Sequence, residues 1–190
     1  FMRVLLFLLL PVFLMSQNSK IDSLVTLLEL NKKDEKLLIS IGESYASQKK
    51  WDSAIFYYKK LVAINPNNAN YLYRLGGSQA AHSESASTFK VLSLINSAKE
   101  NLIKSSNIDK SDIYSRWALV QILLELPSFF GGDDDLALKF SDEIYEISKL
   151  HGLISKSYIH NHLNEYDKAD QTERIIIDLL KTNEGFFDYN

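Results

Sequence analysis

The sequence predicts an all-α protein: a stack of antiparallel helix pairs with one concave face. Two observations carry this. From Glu35 to Asn68 apolar and small residues fall at helical spacing, with Leu38, Ile41, Gly42 and Tyr45 at i, i+3, i+4 and i+7 on one helix face. The same arrangement opens again at Ala69, one period of about 34 residues further on, where Leu72, Leu75 and Gly76 take the places of Leu38, Ile41 and Gly42. The composition agrees. Only 7 glycines and 3 prolines occur in 190 residues, which suits long helices joined by short turns better than a many-turned β-sandwich.

Residues 20–181 form the predicted repeat domain, and each unit has its own logic. In the first, Ser47-Gln48-Lys49-Lys50 turns the chain between two helices, and Ala54 is the small residue of the second helix, facing Gly42. A helical glycine costs about 1 kcal/mol against alanine, so Gly42 marks a close helix approach, with Tyr58 and Leu61 filling the space around it. Pro66 ends the second helix and holds Asn65 extended, and Asn67-Asn68 cap the next helix. In the second unit, His82 to Ser87 is a polar insertion before a long amphipathic segment from Phe89 to Ser105, with Ala98 as its small position. The third begins at Asp112. Its first helix carries Tyr114, Trp117, Ala118 and Gln121, its second Ala137, Phe140 and Ile144, and Leu126-Pro127-Ser128-Phe129-Phe130-Gly131-Gly132 lies between them. The fourth begins near Leu150, and Asn164 to Ala169 repeats the turn and second-helix start of the first. Residues 182–190 are a polar and aromatic tail.

The first unit, with its Gly-x-x-Tyr spacing, Trp51-x-x-Ala54 and Asn65-Pro66-Asn67-Asn68 ending, resembles a tetratricopeptide repeat (TPR). The other three units are degenerate versions of it. The resemblance implies a right-handed superhelix of about four repeats. The stretched second repeat and the Leu-Pro-x-x-x-Gly-Gly insertion of the third are similar to a group of exported bacterial TPR proteins, most of which carry a repeat fold and no assigned activity. Some TPR proteins clamp a C-terminal carboxylate with Lys and Asn. The corresponding residues here are Ile39 and Glu43, which do not suit an anion.

The amino terminus points to export. Arg3 precedes an apolar run from Val4 to Met15 and a polar exit at Ser16, which predicts residues 1–16 to be a signal peptide. Leu14 is large for the position three before a cut after Ser16, so an uncleaved anchor is the alternative. After cleavage no membrane insertion is expected, and the mature protein would be periplasmic or secreted. There is no Cys, which removes disulfides, thiolate metal sites and Cys nucleophiles. The formal net charge of −3, with no Lys/Arg run, argues against nucleic acid.

Catalytic and metal patterns are weak. His160 and His162 sit two apart, which on a helix places them on different sides. Asp133-Asp134-Asp135 lacks the calcium-loop spacing and reads better as a helix cap. Neither Gly76-Gly77 nor Gly131-Gly132 belongs to a phosphate-binding loop. No cofactor, metal or catalytic residue is therefore expected. The expected function is a non-catalytic scaffold that binds a protein or peptide in its groove through Ile39, Glu43, Tyr73, Gly77, Asp112 and Ser115. A carrier or partner of a periplasmic solute-binding system is the alternative, signalled by an apolar pocket near Trp117, Phe129 and Phe130. A metal enzyme at His160 and His162 comes third. Phe129 and Phe130 are expected to be buried in a compact loop; exposed, they would anchor a partner. A partner or a second copy of the chain would cover the end faces of so short an array.

Overall fold

The computed structural model describes residues 19–182; the expected signal peptide and nearly all of the tail lie outside them. The described residues fold into helices joined by short turns. Helix α1 spans residues 19–30. It is followed by α2 (Glu35–Ser47), α3 (Trp51–Ile64), α4 (Ala69–Ser83), α5 (Thr88–Ile108), α6 (Ile113–Glu125), a short 3-10 turn (Ser128–Phe130), α7 (Asp134–Ile147), α8 (Lys149–His162) and α9 (Tyr166–Thr182). From α2 on, each helix packs on the next, giving the pairs α2–α3, α4–α5, α6–α7 and α8–α9, the four predicted units.

Side chains set the helix starts. Asp34, Asn68, Asp112 and Asp133 each accept a hydrogen bond from the backbone N–H three residues on, at 2.9 to 3.2 Å. This is N-capping, and it satisfies donors that have no partner inside the helix. Asp133 thus has the capping role read from the Asp triplet. Asn65, ahead of Pro66, is extended at φ −136° and ends α3. The turn after α2 passes through Lys49 at φ 55°, and the equivalent turn after α8 through Asn164 at φ 60°. Left-handed backbone costs lysine about 1 kcal/mol or more. Lys49→Gly is therefore expected to raise stability by about 0.5–1 kcal/mol, less than the full strain because glycine also loosens the unfolded chain. A urea titration followed by circular dichroism checks this.

Small residues let the paired helices close. A Cβ on Gly42 would strike the Tyr58 ring, and one on Gly76 would sit 2.9 Å from Leu102 Cγ and 3.1 Å from the Ala98 carbonyl oxygen. Ala54, Ala98, Ala137 and Ala169 are buried at the matching places on the second helices. Two apolar clusters result. One joins Leu28 of α1 to Leu38, Ile41, Ile55, Tyr58 and Leu61. The other is built around α6, from Leu102, Leu119, Val120, Leu123, Phe140, Ile144 and Ile159. Burying a side chain such as Leu119 contributes about 1.5–3 kcal/mol. Helix α6 is buried nearly all round, from Ser115 to Leu124, as the centre of a stack must be. Even Arg116, in the register position of Leu38 and Leu72, is 4% exposed.

The insertion departs from expectation. Its loop is compact, yet Phe129 is 79% and Phe130 46% exposed, with ring centroids 4.2 Å apart. The compaction comes from backbone instead. Gly132 N donates to the Pro127 carbonyl, Asp133 N to that of Leu123, and Lys99 Nζ to that of Gly131, which takes the left-handed φ of 91°. With the gap closed by main chain, the rings have no cavity to enter and lie outside. None of the described helices is long and apolar enough to cross a membrane.

Candidate functional site

The first helices of successive units also touch: α4 meets α6, and α6 meets α8. The stack therefore curves toward these helices, and their outward residues line its inner face. Register from the N-caps shows which residues those are. Two and five residues beyond Asn68 stand Asn70 and Tyr73; beyond Asp112 stand Tyr114 and Trp117.

These positions build an aromatic strip across three helices. The rings of Tyr73 (α4) and Tyr114 (α6) lie 6.1 Å apart, those of Trp117 (α6) and Tyr158 (α8) 5.4 Å, and Tyr158 and His162 6.5 Å. Such separations are those of interacting rings. Tyr114 is 71% exposed, while Tyr73, Trp117 and Tyr158 are half-buried with one side toward the core around α6. Burial first, then the Glu125 carboxylate, pushes the Tyr158 hydroxyl above the usual phenol range, with Gln121 opposing. Burial and the Asp112 carboxylate do the same to Tyr73, with Arg74 opposing. Both phenols therefore stay neutral hydrogen-bonding tips on apolar rings.

Two concavities open on this face. One, of about 460 Å³, is lined by Asn70, Tyr73, Asp109, Asp112, Tyr114 and His151, among others. The second, of about 350 Å³, has a floor of Gly77, Ala80, Ala81 and Ala118 and a rim bearing Glu84 and Glu125. The side chains give shape, apolar area and negative charge.

The residues expected from sequence fall into separate places. Tyr73 and Asp112 share the first concavity, and Gly77 lies in the second. Ile39 is packed against the first core cluster, and Glu43 is held by Arg74 at 2.6 Å. Asp112 uses Oδ1 to cap Ser115 N and Oδ2 to accept from the Ser105 hydroxyl. Ser115 is fully buried, so it presents nothing to a partner. In the third unit Asp112 reaches the concavity from the cap and not from the groove register. Stepping on from Asp112 leads to Tyr114, Trp117 and Gln121, a count that the sequence alone permits. Tyr158 and His151 are harder to find, because the first helix of the fourth unit matches the repeat loosely.

The histidines have other engagements. His160 Nδ1 is 2.7 Å from Glu165 Oε2, across the α8–α9 turn, and His151 Nδ1 is 2.8 Å from the Ser148 hydroxyl. Lys168 and His160 together hold the Glu165 carboxyl below its ordinary range. His162 stands beside Tyr158, so His160 and His162 do not converge. Among the described residues no group of three His, Asp or Glu side chains could hold a metal ion. Nor do Trp117, Phe129 and Phe130 enclose a pocket together: Trp117 lies against Tyr158 with the rings tilted, and the two phenylalanines are exposed.

A superhelix of antiparallel helix pairs with an inner groove defines a TPR-type fold, and comparison with solved structures shows this directly. A thermophilic TPR protein of Thermus thermophilus, TTC0263, superposes with a TM-score of 0.67 at 13% identity, covering 95% of this chain and 90% of that one. Two structures of MamA give TM-scores of 0.67 and 0.65 at 14% and 15% identity, covering 92% and 91% of this chain and 88% and 92% of theirs. No family model and no curated protein matches the sequence.

Proposed function

We propose that this protein is a non-catalytic scaffold that binds a protein or peptide segment along its inner face. The observation that carries the reading is the row of two ring pairs, Tyr73–Tyr114 and Trp117–Tyr158, drawn from three helices and left partly open. Aromatic rings with polar tips supply large contact area at little entropic cost, and they dominate binding hot spots. The core around α6 would fold without an exposed ring on Tyr114, so packing alone does not account for it. The apolar run at residues 4–15 supports an exported protein working in the cell envelope.

The test is capture from a cell-envelope extract with the tagged chain as bait, followed by mass spectrometry and quantitation on the purified partner. Trp117 and Tyr158 both also support the core, so the exposed Tyr114→Ala is the cleanest variant, with the smaller truncation Tyr158→Ala beside it. Each is expected to weaken the complex about 30-fold or more, the loss of a hot-spot residue, while the circular dichroism spectrum is retained. Full-strength binding by both variants would refute the groove as the binding face.

A further inference from the structure

The larger concavity has a chemistry of its own. Asp109 and Asp112 place two carboxylates on its wall beside the rings of Tyr73 and Tyr114. Ser111 binds Asp109 Oδ1 through its backbone N–H at 2.9 Å and its hydroxyl at 2.7 Å, and these bonds hold the carboxyl below its ordinary range, so it is ionised. Among the described residues Asp109 Oδ2 takes no hydrogen bond. Two nearby positive charges are already answered: Arg74, which bonds Glu43 and the Asn70 side chain, and Arg116. Arg116 donates to Glu143 at 2.9 Å and to the carbonyl oxygens of Ser106, Asp109 and Asp112. The positive ends of α4 and α6 border the same space with about half a charge each, and Asn68 and Asp112 cap them. The balance is negative, and two aromatic rings stand next to it.

We propose that this concavity receives a lysine or arginine side chain of the groove's partner. The inference rests on the groove-binding reading above and specifies its chemistry. A cation gains from both carboxylates and from the ring faces together, since an ammonium or guanidinium within about 6 Å of an aromatic centroid is attracted by the ring quadrupole. An anion meets two carboxylates, and a purely apolar side chain would bury them without a partner. The raised hydroxyl of Tyr73, due after burial to Asp112, reports the same negative field at the ring. Tyr114, exposed and tilted 43° against Tyr73, is the lid that a long cationic side chain would order.

The full chain, carrying ¹³C-labelled tyrosine rings, is titrated with Nα-acetyl-arginine amide and Nα-acetyl-lysine amide, with the norleucine and glutamate amides as controls. Saturable shifts of Tyr73 and Tyr114 are expected with the two cations alone. Asp109→Asn with Asp112→Asn should weaken them about tenfold or more, since the charges go while asparagine still caps α6. No shift, an equal response to norleucine or glutamate, or unchanged binding by the Asn variant would overturn the proposal. The two readings fail separately. A partner captured as well by the Asn variant, but lost with Tyr158→Ala, would overturn the cation pocket and leave the groove standing. Cation-specific binding by the chain, with full-strength capture by both Tyr158→Ala and Tyr114→Ala, would keep the cation site and remove the groove.

Discussion

Replacing Arg116 with methionine is expected to lower stability by about 3 kcal/mol, a drop in melting temperature of roughly 10 °C for a chain of this size. The side chain is 5% exposed and closes the α5–α6 turn from inside. Its guanidinium satisfies the Ser106 carbonyl near the end of α5, the Asp109 and Asp112 carbonyls of the turn, and the Glu143 carboxylate of α7. Methionine fills the volume but removes this donor from all four; the Asp109 carbonyl keeps the Asp112 N–H, while those of Ser106 and Asp112 lose a partner, and an unsatisfied buried polar group costs about 1–3 kcal/mol. Glu143 is itself partly exposed, so most of the loss lies in the carbonyls. Glu143→Gln separates the two contributions. It keeps an acceptor for the Arg116 Nε–H, and it is expected to cost only about 1 kcal/mol. Thermal melts of both variants decide the matter. An Arg116→Met protein within about 1 kcal/mol of wild type would mean that water replaces the guanidinium at no cost.

Gly152→Ala is the second large effect. Helix propensity alone favours alanine by about 1 kcal/mol. Here, however, a Cβ would lie 2.6 Å from Tyr145 N and nearer still to Tyr145 Cα, which is main chain of α7. A rotamer change cannot relieve that clash, so α8 must move away from α7, and the buried contacts of Ile144 and Ile159 loosen with it. Overpacking of this kind costs about 1–3 kcal/mol and more where backbone must shift, so a net loss of about 3 kcal/mol is expected. The same substitution at Gly77 should have the opposite sign. No atom lies within 4 Å of a Cβ there, and Gly77→Ala is expected to gain up to about 1 kcal/mol. Urea titrations of the two variants make the comparison, and equal effects would show that crowding at Tyr145 does not govern the site.

The fold was legible where one helix carries its own signal. The caps Asn68 and Asp133, the glycines Gly42 and Gly76, and the break at Pro66 act within a turn or two of themselves. Helix periodicity and small-residue positions were therefore enough for four antiparallel pairs. The candidate site was less legible. Tyr73 and Gly77 lie in the concavities because the second unit keeps the register of the first; Asp112 lines the first one from a cap position, and Ser115 is a core residue. The strip through Trp117 and Tyr158 joins residues from units whose first helices have drifted from the repeat.

By itself the sequence determined the all-helical class, the pairing of neighbouring helices and most turn positions, because these depend on spacing and on backbone preferences local to each turn. The tertiary structure alone decided three things. It placed Arg116 in a leucine position, since only the meeting of α5, α6 and α7 supplies its acceptors. It turned Phe129 and Phe130 outward, since main chain had already closed the gap that would have held them. It gathered Tyr73, Asp109, Tyr114 and His151 around one concavity, because the curvature that brings α4, α6 and α8 together belongs to the packed stack and not to any one of its helices.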